Sequence, residues 1–127
     1  MTERLYLLDS NICIYILKDS ASRPARQLQA QPLGGVGVSS VSYAEVMLGI
    51  ERSALGRPSY APALFTQLQV IAFDRRAADI YATLPFRRGR FDRLIAAHAL
   101  ALGAILVTND ENGFSDIPQL RIENWTA

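Results

Sequence analysis

Residues 91–110 read FDRLIAAHALALGAILVTND: an acid at Asp92, strong helix formers to Leu102, a glycine, an apolar triplet and a second acid at Asp110. Alanine and leucine carry the first half, and Gly103 stops it. Ile105, Leu106 and Val107 then form the continuous apolar run needed by a strand covered on both faces. The stretch predicts a helix feeding a central strand. Asp92 falls where the helix starts and Asp110 just past the carboxyl end of the strand, the edge where open α/β sheets build their sites.

Working outward, the same alternation recurs. Leu5 to Leu8 is a short apolar run ending at the turn and cap residues Asp9, Ser10 and Asn11, and ICIYIL follows, so a strand and a helix from Asn11 to Leu17 are predicted. Arg23 to Gln31, with Pro24 near its start, predicts a second helix, and Pro32 to Gly35 breaks it. A strand is predicted over Val36 to Ser39. A helix follows over Ser42 to Glu51, with Val46, Met47 and Ile50 at helical spacing. Past Gly56, Pro58 and Pro62, a helix is predicted over Ala63 to Leu68 and a strand over Val70 to Phe73. Asp74 is placed to cap a helix that Pro85 ends, and Leu120 to Ile122 reads as a last edge strand. Strands alternating with helices predict one α/β domain over residues 1–127, with a mostly parallel sheet covered on both faces.

At 127 residues the chain has the commonest size of one domain. No apolar run approaches the ~20 residues of a membrane span, and the first residues lack a basic region followed by a long apolar one, so a cytoplasmic protein with no membrane partner is expected. The one cysteine, Cys13, lies between Ile12 and Ile14 and is expected to be a small buried hydrophobe. The net charge of +1 excludes a uniformly basic protein. Twelve arginines nevertheless stand against one lysine, and four of them, Arg87, Arg88, Arg90 and Arg93, lie beside Asp92. Their planar forks match phosphate and carboxylate geometry, so they suggest a phosphate-bearing or carboxylate-bearing partner, the alternative being a solvated loop.

Four acids fall at the edges of apolar elements: Asp9, Glu45, Asp92 and Asp110. Each has an ordinary reading. Asp9 and Asp92 can cap the helices they precede, Ser42 and Glu45 have the spacing of a capping box, and Asp110 can serve a turn. Together, however, all four can face one rim of the sheet. Carboxylates so close repel one another unless a cation neutralises them, and hard divalent ions such as Mg²⁺ or Mn²⁺ are the natural choice. Such a site suits hydrolysis at phosphorus.

Competing constellations are missing. With one histidine and one cysteine there is neither a zinc set nor a Ser-His-Asp triad, and GGVG at residues 34–37 precedes a strand instead of following one. His98 lies six residues beyond Asp92, about 240° around a helix, and is expected to be a surface or partly buried helix residue. Leu94, Ile95 and Leu102 are assigned to the core.

LLDSN, SYAEVMLGI, FDRLIAAHALALGAILVTND and RIENW, in this order across almost the whole chain, resemble the PIN domains and most closely the VapC-type toxins of bacterial toxin-antitoxin pairs. The resemblance implies a three-layer αβα sandwich and an endoribonuclease dependent on Mg²⁺ or Mn²⁺. It implies that Asp9, Glu45, Asp92 and Asp110 are the catalytic, metal-binding acids, with Ser10 and Thr108 as supporting hydroxyls and Asp116 as an alternative fourth acid. It also implies a homodimer and a cognate antitoxin that blocks the site. The segment between Ala82 and Asp92 is shorter and richer in arginine than is usual in that family.

Two other classes share the layering. A phospho-acceptor receiver domain needs a lysine near its last strand, whereas the sole lysine is Lys18, in an early loop. A non-catalytic protein-interaction domain of the same fold would have no use for a complete acid set.

Overall fold

A computed structural model of the chain describes residues 4–32, 34–51, 68–85 and 90–127. Five strands, β1 (Tyr6–Leu8), β2 (Val36–Ser39), β3 (Gln69–Ile71), β4 (Ile105–Val107) and β5 (Ile122–Glu123), form one sheet in the order β3-β2-β1-β4-β5. Every pairing is parallel, with Leu7 opposite Gly37 on one side and Leu106 on the other. The helices among the described residues are α1 (Ser10–Lys18), α2 (Arg23–Gln29), α3 (Ser40–Glu51), α4 (Arg75–Tyr81) and α5 (Arg90–Leu102), with a 3₁₀ turn at Asn112–Phe114.

Strand side chains alternate between faces, and both faces are covered, which is why the strands read as unbroken apolar runs. On one face Tyr6, Leu8, Val36, Val38, Ile105 and Val107 pack with Ile12 and Ile16 of α1, Leu28 of α2 and Val46 of α3, and Trp125 closes the layer against Tyr6 at a ring separation of 5.4 Å. On the other, Leu7 and Leu106 pack with Ile95, Ala96 and Ala99 of α5 and with Phe114 and Ile117. The result is the expected αβα sandwich. No helix among the described residues is long and apolar enough to cross a membrane.

Local chemistry sets the ends. Asp9, Ser22 and Asp74 cap α1, α2 and α4 by accepting the amides of Ile12, Ala25 and Ala77. At the end of α5, Gly103 has φ +65°. Its N–H donates to Leu100 O and that of Ala104 donates to Ala99 O, the pair of bonds that closes a helix with a left-handed residue. This glycine turns the chain directly into β4.

Several boundaries differ from those predicted. α3 starts at Ser40, continuing straight from β2, and Ser39 Oγ accepts the Val41 amide at 3.1 Å. Ser42 is therefore inside the helix, its hydroxyl buried without a hydrogen-bond partner, and the capping box of Ser42 and Glu45 does not form. α5 starts at Arg90, so Asp92 lies in the first turn instead of capping it. β3 and β5 are shifted by one to two residues from the predicted spans. Leu102 is exposed, not core, while Ile95 is buried as expected. Apart from Leu68, the helix expected from Ala63 to Leu68 lies outside the described residues.

Candidate active site

The strand order reverses direction at β1 and β4, and the loops leaving the carboxyl ends of two such strands diverge to leave a crevice. Asp9 follows β1 at this point, and Thr108, Asn109 and Asp110 follow β4. Asp9 is tightly placed and buried: its N–H donates to Val107 O at 3.0 Å, its Oδ1 accepts the Ile12 amide at 2.9 Å, and the Thr108 hydroxyl donates to its carboxylate. Thr108 Oγ1 in turn accepts the Asp110 amide at 3.0 Å. One buried hydroxyl thus joins the first acid to the last.

Asp110 is exposed, and its Oδ1 accepts the Gly113 amide at 3.1 Å. Glu45, on the second turn of α3, is held by the Ser10 hydroxyl, so both predicted hydroxyls support an acid. Glu45 Oε1 is buried and has no hydrogen-bond partner. Asp92 comes from the first turn of α5.

The electrostatics bind these positions into one group. Burial raises the pKa of Asp9, and the charges of Asp92 and Asp110 raise it further against the pull of Thr108 and the Ile12 amide. Burial likewise raises Glu45, with Asp92 and Asp9 adding to it and the Ser10 bond opposing. Asp92 is raised by burial and by Asp110, while Arg93 pulls it down. Each of the four acids therefore feels at least one of the others, across chain separations as large as that from Asp9 to Asp110.

A divalent cation fits this donor set. The carboxylates raise one another's pKa, Arg93 opposing this at Asp92, and Glu45 Oε1 is a buried acceptor with no donor bonded to it. Among the described residues no three carboxylate, imidazole or thiol groups are gathered tightly enough to enclose an ion. The rim is open, which suits Mg²⁺, an ion that usually takes one or two carboxylates and keeps several waters.

Other candidates went elsewhere. Arg93, read as a possible phosphate ligand, is buried at 5% exposure and forms an ion pair with Asp116, Nη1 to Oδ1 at 2.9 Å, so it does not face an RNA strand. Asp116, the alternative fourth acid, is the partner in that pair. Arg87 and Arg88 lie outside the described residues, as does the side chain of Arg90. His98 is not at the surface: at 1% exposure it bonds Ser39 Oγ through Nδ1 at 2.8 Å, bonds the Ala72 backbone, and meets the Phe73 ring edge-on. Cys13 is buried as expected. Gly113 was not singled out in the sequence, yet it supplies an amide to Asp110.

A parallel sheet with acids at its switch point is the architecture of a PIN domain, and residues 6–120 match the PIN domain family. The chain belongs to that family, and within it to the VapC ribonucleases. The tRNA(fMet)-specific endonuclease VapC of Shigella flexneri is 32% identical over 131 residues, covering 95% of this chain and 98% of the relative. Among solved structures, VapBC2 from Rickettsia felis bound to a DNA fragment from its promoter superposes with a TM-score of 0.86 at 30% identity, covering 95% of this chain and 98% of that one. DNA-bound VapBC from Salmonella typhimurium gives 0.82 at 27%, covering 96% and 98%.

Proposed function

We propose that the chain is a metal-dependent endoribonuclease, the growth-inhibiting toxin of a toxin-antitoxin pair, working on RNA in the cytoplasm as a single-domain homodimer. The observation that carries this reading is the mutual repulsion of Asp9, Glu45, Asp92 and Asp110 at the switch point of the sheet. The ribonuclease names of the full-length relatives support the substrate class, and the VapBC complexes support a cognate antitoxin.

In this reading the acids at the rim, Asp9, Glu45, Asp92 and Asp110, would hold Mg²⁺ or Mn²⁺, in part through water. A bound divalent ion supplies charge for the phosphate oxygens and lowers the pKa of water. The protein does the rest. Thr108 and the Ile12 amide fix the Asp9 carboxylate, and Ser10 fixes Glu45. The Glu45 carboxylate accepts the proton of the attacking water as the water oxygen bonds to phosphorus, one P–O ester bond breaks, and the departing ribose oxygen takes a proton from solvent.

The test is the purified protein, freed of its partner, incubated with total RNA in Mn²⁺ or in EDTA, with new 5′ ends mapped. Discrete ends that appear only with metal, and not with Asp92→Asn, are expected. Cleavage by the variant, or cleavage in EDTA, would overturn the assignment. Sedimentation of the same sample reads the dimer.

A further inference from the structure

The sequence placed Arg93 among the phosphate ligands, and the fold turns it inward instead. Its Nη1 meets Asp116 Oδ1 at 2.9 Å and its Nη2 points to Gly113 O at 3.5 Å. Its Nε is buried as well, leaving no part of the fork for a substrate. Arg93 neighbours Asp92 on the first turn of α5, while Gly113 and Asp116 belong to the segment after β4.

Gly113 has contacts in both directions. Its carbonyl receives Arg93, and its N–H donates to Asp110 Oδ1 at 3.1 Å. A Cβ here would stand 2.9 Å from Asp110 Cγ and closer still to its Oδ2, so the Asp110 carboxylate would have to move. Phe114, buried against the α5 face of the sheet, anchors the turn from the following position.

We propose that Arg93, Gly113 and Asp116 form a clamp that fixes the distance between Asp92 and Asp110, making all three positioning residues for the cation at the site. The path runs from Asp92 along the helix to Arg93, through the Gly113 peptide, to the carboxylate of Asp110. Apolar packing, such as that of Ile95 with Phe114 and Ile117, does not by itself fix a carboxylate to the fraction of an ångström that metal ligation needs. This inference rests on the acid site proposed above.

Gly113→Ala and Arg93→Lys test it, because alanine displaces Asp110 and lysine keeps the charge while losing the fork. Mn²⁺ affinity is measured by calorimetry without RNA, and kcat and KM are measured separately on an RNA oligonucleotide. The clamp predicts at least tenfold weaker Mn²⁺ binding in both variants, with KM unchanged and kcat restored at high Mn²⁺. Wild-type Mn²⁺ affinity in both would overturn it. So would a rise in KM alone for Arg93→Lys, which would return that residue to the phosphate. If Arg93→Lys fails to fold, Asp116→Asn decides in its place, since it removes the charge that the fork meets without touching Asp110. If the wild-type protein binds no Mn²⁺, the acid site itself fails, an outcome separate from failure of the clamp.

Discussion

Replacing Asp9 by alanine removes two things at once, the cap of α1 and a carboxylate at the rim. Asparagine separates them. It keeps an oxygen for the Ile12 amide and removes the repelled charge, so Asp9→Asn should melt in EDTA at or above wild type at pH 7, while Asp9→Ala should fall below Asp9→Asn by ~1 kcal/mol. Both should cut cleavage at least about 100-fold, and a gel assay beside thermal melting checks the pair. The places of Asp9 and Asp110 just past the carboxyl ends of β1 and β4 were legible in the sequence because the apolar runs before them fix the strand ends locally. Glu45 was legible as a candidate, but its competing role as half of a capping box fails, because β2 runs into α3 without a loop and the helix starts two residues early. Arg93 and His98 were misread for a different reason. Their partners lie 23 and 59 residues away, and no local pattern reports a contact of that kind.

At the scale of elements, His98 is a cross-link. From the middle of α5 it reaches Ser39 at the end of β2 and the Ala72 backbone just after β3, and it sets the helix against two strands. Burial lowers its pKa below the ordinary value, although the Asp74 charge and the Ala72 bond oppose this. A histidine with a depressed folded pKa contributes stability above the unfolded value near 6.5 and loses it as pH falls toward the folded one. His98→Leu should therefore destabilise the protein by about 1–3 kcal/mol at pH 7.5, by leaving buried polar atoms unpaired. It should also narrow the gap to wild type as pH falls below about 6. Urea melts at several pH values give both quantities. The strands and helices themselves were readable because each carries its own apolar period. The errors fall at their ends, where caps and direct strand-to-helix junctions decide.

For the whole molecule, the acids make the metal-free fold strain against its own charge. Asp9, Glu45 and Asp92 have folded pKa values raised above the ordinary carboxylate value, so their contribution to stability is complete below about pH 4 and is lost as pH rises through the folded values. In EDTA, Asp92→Asn should thus melt above wild type at pH 7, and the advantage should vanish near pH 4. Saturating Mn²⁺ should reverse the order, since a ligand at 100 times its Kd adds about 2.7 kcal/mol to the state that binds it. Thermal shift across pH, with metal and without, reads both. The central strand has one more effect. β1 pairs with β2 and with β4, and about a hundred residues must follow Leu8 before β4 exists to flank it. A nascent chain still on the ribosome carries Asp9 and then Glu45, but it has neither Asp92 nor Asp110 to complete the set. An enzyme able to attack RNA thereby has an incomplete site until β4 and the loop after it have been made.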